Sequence, residues 1–344
     1  MKCIMYFKSI NDIGGVESFL YYLSKKYEFE FYYKDVVDKK VEGVSKQIER
    51  LAKNIKVRKY RGEKLVCDKF IVNYNPDIID NVEAKEYIMM IHCDYSAVHF
   101  NPIMHPKFTK YIGVSQYVCD VFEKLTGVKA ELCYNPVYLD KPKVQKDKLL
   151  HLLSMTRLTG EKGGWRIDKL SSILDQYKIN YKWTIYTNKS PHFQSKNIEI
   201  RPPKLDLTEE IAQASYVVQL SDAEAYCLSV VESLILGTPV IVTDLPVFKE
   251  LGLNKDNSIT IPLNFNDFDI DELRERKFIY TPPKETWYKY LPTQKTYNPK
   301  ELVKVKVLKK YTDIYLNKKF LKNEEVEMPI ERASYLESKG IITW

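Results

Sequence analysis

Short apolar runs alternate along the chain with longer stretches whose apolar residues recur every three or four positions. In the first part, runs rich in β-branched and aromatic residues predict strands at 2–7, 29–33, 55–60, 69–72, 86–91 and 110–114. The longer stretches predict helices at 16–26, 44–54 and 116–126. Ser115 is a suitable N-cap for the last of these helices, and Gly127 is suited to end it. Strands that alternate with helices indicate a mostly parallel, doubly wound α/β sheet.

The same alternation starts again after a polar, proline-containing segment, Lys141–Lys148, where we place a domain boundary. Beyond it the pattern predicts strands at 149–155, 182–186, 198–201, 216–220 and 240–243, and helices at 165–177, 207–214 and around 230–235. The pattern weakens after about residue 262, and we predict a basic helix near Lys300–Lys318. The sequence thus predicts two Rossmann-like domains that face a cleft, at 1–147 and 148–320. The last helices, at about 320–344, are a candidate addition to the first domain.

Two carboxylates of the second domain lie in one strand–loop–helix unit. Glu224 follows a predicted strand, and Glu232 lies about one turn inside the next helix. Gly237–Pro239 ends that helix, since glycine suits a C-terminal cap and proline cannot continue the helix. A loop between the carboxyl end of a strand and the amino end of a helix is where open α/β sheets bind nucleotides. Ionised carboxylates at this place suit a ligand that carries sugar hydroxyls.

Two further loops follow a predicted strand and precede a predicted helix. Gly14 and Gly15 follow the first strand of the chain, and backbone N–H groups in such a loop can bind a phosphate. Arg157 and Lys162 lie in the loop after the first strand of the second domain. Taken alone, a glycine pair is a turn and two cations are a solvated surface. Their interpretation as a site depends on the glutamate pair.

Together these motifs resemble the nucleotide-sugar site of retaining GT-B glycosyltransferases, in the large group that includes glycogen synthases (glycosyltransferase family four type). The resemblance implies a GT-B fold and a nucleoside diphosphate sugar as donor. It implies that Glu224 contacts the transferred sugar and Glu232 the ribose. Arg157 and Lys162 would hold the diphosphate, whose negative charge grows as the sugar leaves. Gly14 and Gly15 would face the donor across the cleft.

The loop after Glu224 departs from the family's pattern. Where the family has Gly-Phe-Gly, this chain has Ala225, Tyr226 and Cys227, followed by Leu228. These four residues are assigned to the donor site by their position. Losing the glycines limits how closely the backbone can approach a ligand. The departure therefore leaves open a sugar-nucleotide-binding protein whose catalytic power has decayed.

The resemblance also assigns residues of the first domain. His92 ends a predicted strand, and the family often places a histidine there against the transferred sugar or the acceptor. Asp94 would orient His92 or bind an acceptor hydroxyl, and Asn135 would have a structural or hinge role. Asp267 and Asp271 are interpreted as loop or helix-capping residues rather than metal ligands. We expect no metal and no cofactor besides the donor. His99 is expected to matter less.

The charged residues leave three kinds of partner open. The net charge of +7 is concentrated in two segments, with nine Lys and Arg against three acids at 45–70 and eight Lys against two acids at 298–323. Such segments suit a solvated surface, an anionic membrane or a nucleic acid. No apolar run is long enough to span a bilayer, and six cysteines without metal spacing suit reduced thiols. We expect a cytoplasmic protein, with the inner membrane surface as a candidate location.

The activity that the resemblance implies is transfer of a sugar, with retention, from a donor that is most simply a UDP-sugar. The expected acceptor is a hydroxyl of a glycan or of a lipid-linked acceptor. A hydroxylated nucleobase in DNA and a protein side chain stay open as acceptors. A sugar-nucleotide epimerase of the same shape is a further alternative, with no residues to support it beyond the fold.

Overall fold

Two parallel sheets, each covered by helices, make up most of the chain. The computed structural model describes residues 1–11, 13–36, 43–98, 100–266, 268–294 and 297–344, with the backbone alone at 43–44. His99 and Asp267, which were named above, lie outside these residues. Within them, no helix is both long enough and apolar enough to cross a membrane.

The first sheet has the strand order β3-β2-β1-β4-β5-β6-β7, with every pairing parallel. Its strands are β1 Cys3–Ile10, β2 Glu30–Val36, β3 Lys56–Lys59, β4 Leu65–Asn73, β5 Val82–Ile91, β6 Lys110–Gly113 and β7 Glu131–Leu132. Its helices are α1 Gly15–Ser24, α2 Gly43–Ala52 and α3 Gln116–Thr126. Ser115 caps α3 by accepting from the Val118 amide, and Gly127 ends it in the left-handed conformation, as predicted.

The second sheet has the order β10-β9-β8-β11-β12-β13 and is also parallel throughout. Its strands are β8 Leu150–Met155, β9 Tyr181–Tyr186, β10 Ile198–Arg201, β11 Tyr216–Gln219, β12 Val240–Thr243 and β13 Ser258–Ile261. Its helices are α4 Gly164–Gln176, α5 Thr208–Gln213, α6 Leu228–Ile235 and α7 Pro246–Glu250. The predicted doubly wound α/β architecture is confirmed.

The strand order reverses once in each sheet, between β1 and β4 and between β8 and β11. In open α/β sheets, ligands bind at the carboxyl ends of the strands beside such a reversal. The loops after β1, β8 and β11 carry the glycine pair, the two cations and the first glutamate. The topology therefore places all three motifs where a ligand is expected.

The carboxyl-terminal region corrects one prediction. Instead of a basic helix near Lys300–Lys318, the chain forms β14 Leu302–Val307, β15 Tyr311–Asp313 and β16 Lys318–Phe320, followed by β17 Glu325–Pro329, α8 Ile330–Ser338 and β18 Ile342–Thr343. Apolar and lysine residues alternate along β14, with Val305 and Val307 buried and Lys304 and Lys306 exposed. That period of two is the pattern of a strand, and it outweighs the helix propensity of lysine.

Helix α8 packs against α2 and β3 of the first half. The strand β14 belongs to the same unit, because it pairs with β17 and β18. The domain limits at 147 and 320 stay predictions.

Residues 281–294, which follow the second sheet in the chain, pack against the first half. The Trp287 ring is fully buried against Phe19 of α1, with 5.3 Å between the ring centroids, and its indole donates to the Tyr134 carbonyl. Glu285 accepts from Lys26 of α1 at 2.6 Å and from Tyr138 at 3.0 Å. These contacts attach the segment after the second sheet to the first half.

Candidate functional site

A cleft of about 1540 Å³ lies between the two halves. Every candidate residue named for the donor, catalytic or acceptor site lines it: Gly14, Gly15, His92, Asp94, Arg157, Lys162, Glu224, Ala225, Tyr226, Cys227, Leu228 and Glu232. The structure thus brings together residues that are spread over more than two hundred positions of sequence.

A close backbone contact fixes the loop with the two cations against the loop with Glu224. Gly163 has φ +64°, and a Cβ at this position would collide with the Leu220 carbonyl oxygen. The Asp222 amide donates to the Glu161 carbonyl at 2.8 Å. Since only glycine tolerates this approach, Gly163 sets the position of the adjoining Lys162.

Lys162 and Glu224 form a buried ion pair in the cleft, with 2.7 Å between Nζ and Oε1. The same Glu224 oxygen accepts from the Gln219 amide at 2.9 Å and from the Ser221 hydroxyl at 2.7 Å. Burial opposes the charge on Lys162, but the Glu224 carboxylate outweighs it and raises the pKa of Lys162. The ammonium is therefore charged at neutral pH, and Glu224 is held in one orientation.

Arg157 is different, because its side chain is exposed on the cleft wall. Within the described part of the chain its guanidinium forms no hydrogen bond or salt bridge. Five N–H donors thus face the cleft without a protein acceptor, which suits a phosphate.

Glu232 contacts the other half of the molecule. Its Oε1 accepts from the Tyr22 hydroxyl of α1 at 2.7 Å. Burial raises the pKa of Glu232 to about 7, while the bond from Tyr22 and the charge of Arg50 oppose that rise. Burial and the neighbouring Glu232 raise the pKa of Tyr22, so the phenol stays protonated and donates. The carboxylate therefore titrates near neutral pH.

Arg50 of α2 is a second link across the cleft. Its Nη1 donates to the Leu205 carbonyl at 2.9 Å, and its guanidinium lies 3.3 Å from the centroid of the Tyr21 ring. Sequence reasoning found neither Tyr22 nor Arg50. A tyrosine in an amphipathic helix and an arginine in a basic helix are most simply packing and surface residues, so no signal separates them from the rest.

His92 is buried between two asparagines, with 3.0 Å from Nδ1 to Asn73 Oδ1 and 3.2 Å from Nε2 to Asn135 Oδ1. Burial lowers the pKa of His92 to about 4, so the ring is neutral at pH 7. A neutral imidazole has one N–H, so one asparagine must present its amide nitrogen to the ring. The ring also packs on Phe19, at 4.6 Å between centroids.

Asp94 does not orient His92, contrary to one of the two roles considered for it. Its Oδ1 accepts from Ser96 at 2.5 Å, and its Oδ2 accepts from the Tyr117 hydroxyl at 2.9 Å. The asparagines take the orienting role instead, because they reach both nitrogens of the ring. The second role, binding of an acceptor hydroxyl, stays a prediction.

The loop that lacks the family's glycines keeps a glycine-like backbone at one position. Cys227 has φ +68° and forms the N-cap of α6. A non-glycine residue in this region costs about 1–2 kcal/mol. Tyr226 is buried and donates to the Asn135 carbonyl at 3.1 Å, and Ser115 donates to the Ala225 carbonyl at 2.7 Å. Contacts with the first half thus stabilise the strained loop.

In the described residues, no group of three His, Cys, Asp or Glu side chains could hold a metal ion. Asp271 lies in a short 3₁₀ turn, where its amide donates to Asp269 Oδ1 at 2.9 Å. The capping role that was predicted for the Asp267–Asp271 run is thus carried by Asp269, and Asp267 lies outside the described residues.

Comparison with solved structures identifies the architecture. HepE of Anabaena, in complex with UDP-glucose, is 13% identical with a TM-score of 0.58, over 76% of this chain and 86% of HepE. The lipopolysaccharide outer core galactosyltransferase WaaB is 14% identical with a TM-score of 0.52, over 76% of this chain and 86% of WaaB. A variant of S. aureus TarM, in complex with UDP and other ligands, is 15% identical with a TM-score of 0.50 and covers 60% of this chain. This chain spans less than half of TarM, 47%.

No protein-family model and no curated protein sequence matches the chain. At these identities the similarity to HepE and WaaB concerns the fold, and the predicted GT-B fold is confirmed. Because one fold hosts many functions, the activity has to be inferred from the cleft. The chain is a GT-B protein with cations and carboxylates gathered at the carboxyl ends of its strands.

Proposed function

We propose that the protein is a retaining glycosyltransferase that moves a sugar from a nucleoside diphosphate donor, most simply a UDP-sugar, to a hydroxyl of a glycan or lipid-linked acceptor. The observation that carries the proposal is the convergence of Arg157, Lys162, Glu224 and Glu232 on one cleft. The complex of HepE with UDP-glucose supports the choice of donor, since HepE shares this fold.

Each of the four residues has a role in this proposal. Arg157, whose guanidinium has no acceptor among the described residues, binds the diphosphate. Lys162 also binds the diphosphate and keeps its ion pair with Glu224, because an ammonium has three N–H donors. Glu224 accepts from hydroxyls of the transferred sugar, and Glu232 accepts from the ribose.

The reaction follows from these charges. The bond between the anomeric carbon and the β-phosphate oxygen breaks, and the two cations stabilise the charge left on the diphosphate without a metal. The acceptor oxygen then bonds to the same face of the anomeric carbon and gives its proton to the departing phosphate oxygen. The pKa of His92, about 4, makes its ring too weak a base to take the acceptor's proton, so that proton goes to the phosphate. Both ring nitrogens are bonded to asparagines in the free protein, so His92 contacts the sugar only if one of these bonds opens.

A thermal-shift series with nucleoside diphosphates and their sugars tests the proposal. A ligand that binds only the folded state at a hundred times its Kd stabilises that state by about 2.7 kcal/mol. We expect UDP and at least one UDP-sugar to raise the melting temperature by several degrees, and that sugar to release UDP when an acceptor is added. Absence of a shift with every nucleoside diphosphate would contradict the proposal. Binding without UDP release would instead favour the catalytically weakened protein.

Donor affinity should increase with pH through neutrality. Ribose hydroxyls donate to the ionised form of Glu232, whose pKa is about 7 in the free protein. Below pH 7 the donor must displace a proton from Glu232, so Kd should increase about tenfold for each unit by which the pH falls. Above pH 7 the affinity should level off. Titration calorimetry with a UDP-sugar measures this, because its diphosphate diester does not titrate in the range.

The contribution of Glu232 to the stability of the free protein should have the opposite pH dependence. It is isolated by comparing the wild type with Glu232→Gln, because the lowered pKa of His92 makes stability rise with pH over the same range. Glu232 binds its proton more tightly in the folded state than in the unfolded chain, where its pKa is near 4.5. Its contribution to stability is therefore full below that value and decreases as pH rises towards 7. In Glu232→Gln, the increase of donor affinity with pH should vanish, and the stability difference between the wild type and this variant should decrease as pH rises towards 7. A donor Kd that stays constant across the range in the wild type would contradict the assignment of Glu232.

A further inference from the structure

A hairpin near the carboxyl end presents apolar side chains to solvent among lysines. We call residues 309–322, which contain β15, β16 and the turn between them, the basic hairpin. At its turn Ile314 is 80% exposed and Tyr315 is 78% exposed, and they are followed by the partly exposed Leu316. Leu321 is also exposed, at the end of the hairpin away from the turn. Adjoining exposed side chains of this size are typical of a surface that contacts a partner.

The lysines of the basic hairpin outnumber its acids. The exposed ones are Lys309, Lys310, Lys318, Lys319 and Lys322. None of them forms an ion pair within the part of the chain that the structure describes. Asp313, the one acid in the hairpin, is buried and paired with Arg332. By contrast, Lys304 and Lys306 of the neighbouring strand β14 lie opposite Glu327 and Glu325.

The hairpin is held in place by α8. Arg332 donates two parallel hydrogen bonds to Asp313, at 2.8 and 3.0 Å. Phe320 is buried and stacks on Tyr311, at 5.1 Å between ring centroids. The apolar turn is therefore held by an ordered structure, so little conformational entropy is lost when it binds a partner.

The other basic segment of the chain is used internally. Arg58 donates to the Trp344 carbonyl, and its guanidinium lies 5.0 Å from the centroid of that residue's ring. Arg61 pairs with the buried Glu337 of α8 at 3.3 Å, and Lys64 pairs with Glu83 at 2.7 Å. Arg58 and Arg61 thus bind the carboxyl-terminal unit, whereas the lysines of the basic hairpin form no ion pair in the described part of the chain.

We propose that the basic hairpin docks the protein on an anionic lipid bilayer. Ile314, Tyr315 and Leu316 enter the boundary between headgroups and acyl chains, and the lysines contact lipid phosphates at the surface. Apolar insertion and charge attraction add up in such contacts. Each lysine near the membrane contributes roughly a fivefold gain in partitioning at moderate salt.

The aliphatic turn favours a membrane over a nucleic acid. Lysines alone suit phosphates of either kind, but aliphatic side chains gain nothing from a phosphate backbone that stays in water. Ile314 and Leu316 gain free energy only where water is excluded. The inference is independent of the proposed donor chemistry, since no residue of the hairpin lines the cleft.

Vesicle sedimentation of the full chain tests the proposal. Vesicles of phosphatidylcholine and phosphatidylglycerol in equal parts should bind the wild type, and vesicles of phosphatidylcholine alone should bind it far more weakly. Ile314→Ser/Leu316→Ser should lower the partition coefficient on anionic vesicles about tenfold. Lys319→Gln/Lys322→Gln should lower it about thirtyfold, with a smaller effect at high salt.

Matched controls separate docking from folding. Ile279→Ser changes another almost fully exposed isoleucine, and it should bind vesicles as the wild type does. All variants should keep the wild-type melting temperature and the same shift with UDP. The proposal is overturned if the wild type stays in the supernatant with anionic vesicles, or if the turn variant binds them as the wild type does. Retention on DNA that depends on the lysines and not on the turn would assign the surface to a nucleic acid instead.

Discussion

Replacing Arg157 with alanine should lower kcat about a hundred- to a thousandfold, the usual loss when one preplaced donor to a developing anion is removed. Arg157 is the cation of the cleft that has no acceptor within the described part of the chain, so its donors are available for the leaving diphosphate. Lys162 is already paired with Glu224, so it cannot take over the role of Arg157.

Because the Arg157 side chain is exposed, we expect the fold to tolerate Arg157→Ala. Arg157 contributes no hydrogen bond or salt bridge to the described structure, and surface substitutions of this kind are usually within ±0.5 kcal/mol in stability. A loss of rate with an unchanged melting temperature would therefore report chemistry alone. Lys162→Ala differs, because it leaves Glu224 buried without its cation.

Steady-state UDP release at saturating donor measures the effect. Arg157→Lys should recover part of the rate, since it restores the charge without the planar pair of donors. Arg274→Ala, which removes an exposed arginine outside the cleft, is the matched control and should have the wild-type rate. Turnover of Arg157→Ala at the wild-type rate would remove this residue from the catalytic site.

The sequence was sufficient for the fold because its strands and helices have unambiguous periods. The strand β12 and the last residues of β5, 88–91, are continuous buried apolar runs, and α3 has a serine and a glycine at its ends. The wrong helix near Lys300–Lys318 followed from weighting lysine content above the alternation along β14. Period is the stronger signal, since it records which side chains face the core.

Residues of the site could be predicted only where they belong to a local sequence motif. Glu224, Arg157 and Lys162 lie in segments that follow strands, and Glu232 lies in the helix after one of them, so the strand order brings all four together. The contacts that cross the cleft have no local pattern. Tyr22 meets Glu232 over 210 positions of sequence, and that pairing depends on how the two halves pack.

That pairing predicts opposite effects for two substitutions at one hydrogen bond. In the free protein the Tyr22 hydroxyl occupies Oε1 of Glu232, an oxygen that we assign to the ribose. A donor must displace it. Tyr22→Phe removes the competitor and leaves the carboxylate without this partner until a donor binds. The lost bond also raises the pKa of Glu232, so the comparison is made above that pKa, where the carboxylate is ionised. An unsatisfied buried group costs about 1–3 kcal/mol, so there the free variant should be less stable and should bind the donor about tenfold more tightly.

Glu232→Gln should have the reverse effect. The amide keeps the size of the side chain but loses the charge, and hydrogen bonds to a charged group are stronger by about 1 kcal/mol each. With two ribose hydroxyls the donor Kd should increase about 10- to 100-fold. The variant should also lose the increase of affinity with pH, because the group that titrates near 7 is gone.

Titration calorimetry with UDP and with a UDP-sugar compares the two variants against Tyr21→Phe. Tyr21 is the adjacent tyrosine, lines the same cleft and keeps its ring against Arg50, so its hydroxyl can be removed without touching Glu232. Its donor affinity should equal that of the wild type. Weaker binding by both Tyr22→Phe and Glu232→Gln would mean that the Tyr22 hydroxyl contacts the donor itself and does not compete with it. The two substitutions should change donor affinity in opposite directions, because the Tyr22 hydroxyl occupies the oxygen assigned to the ribose in the free protein, whereas Glu232 provides that oxygen.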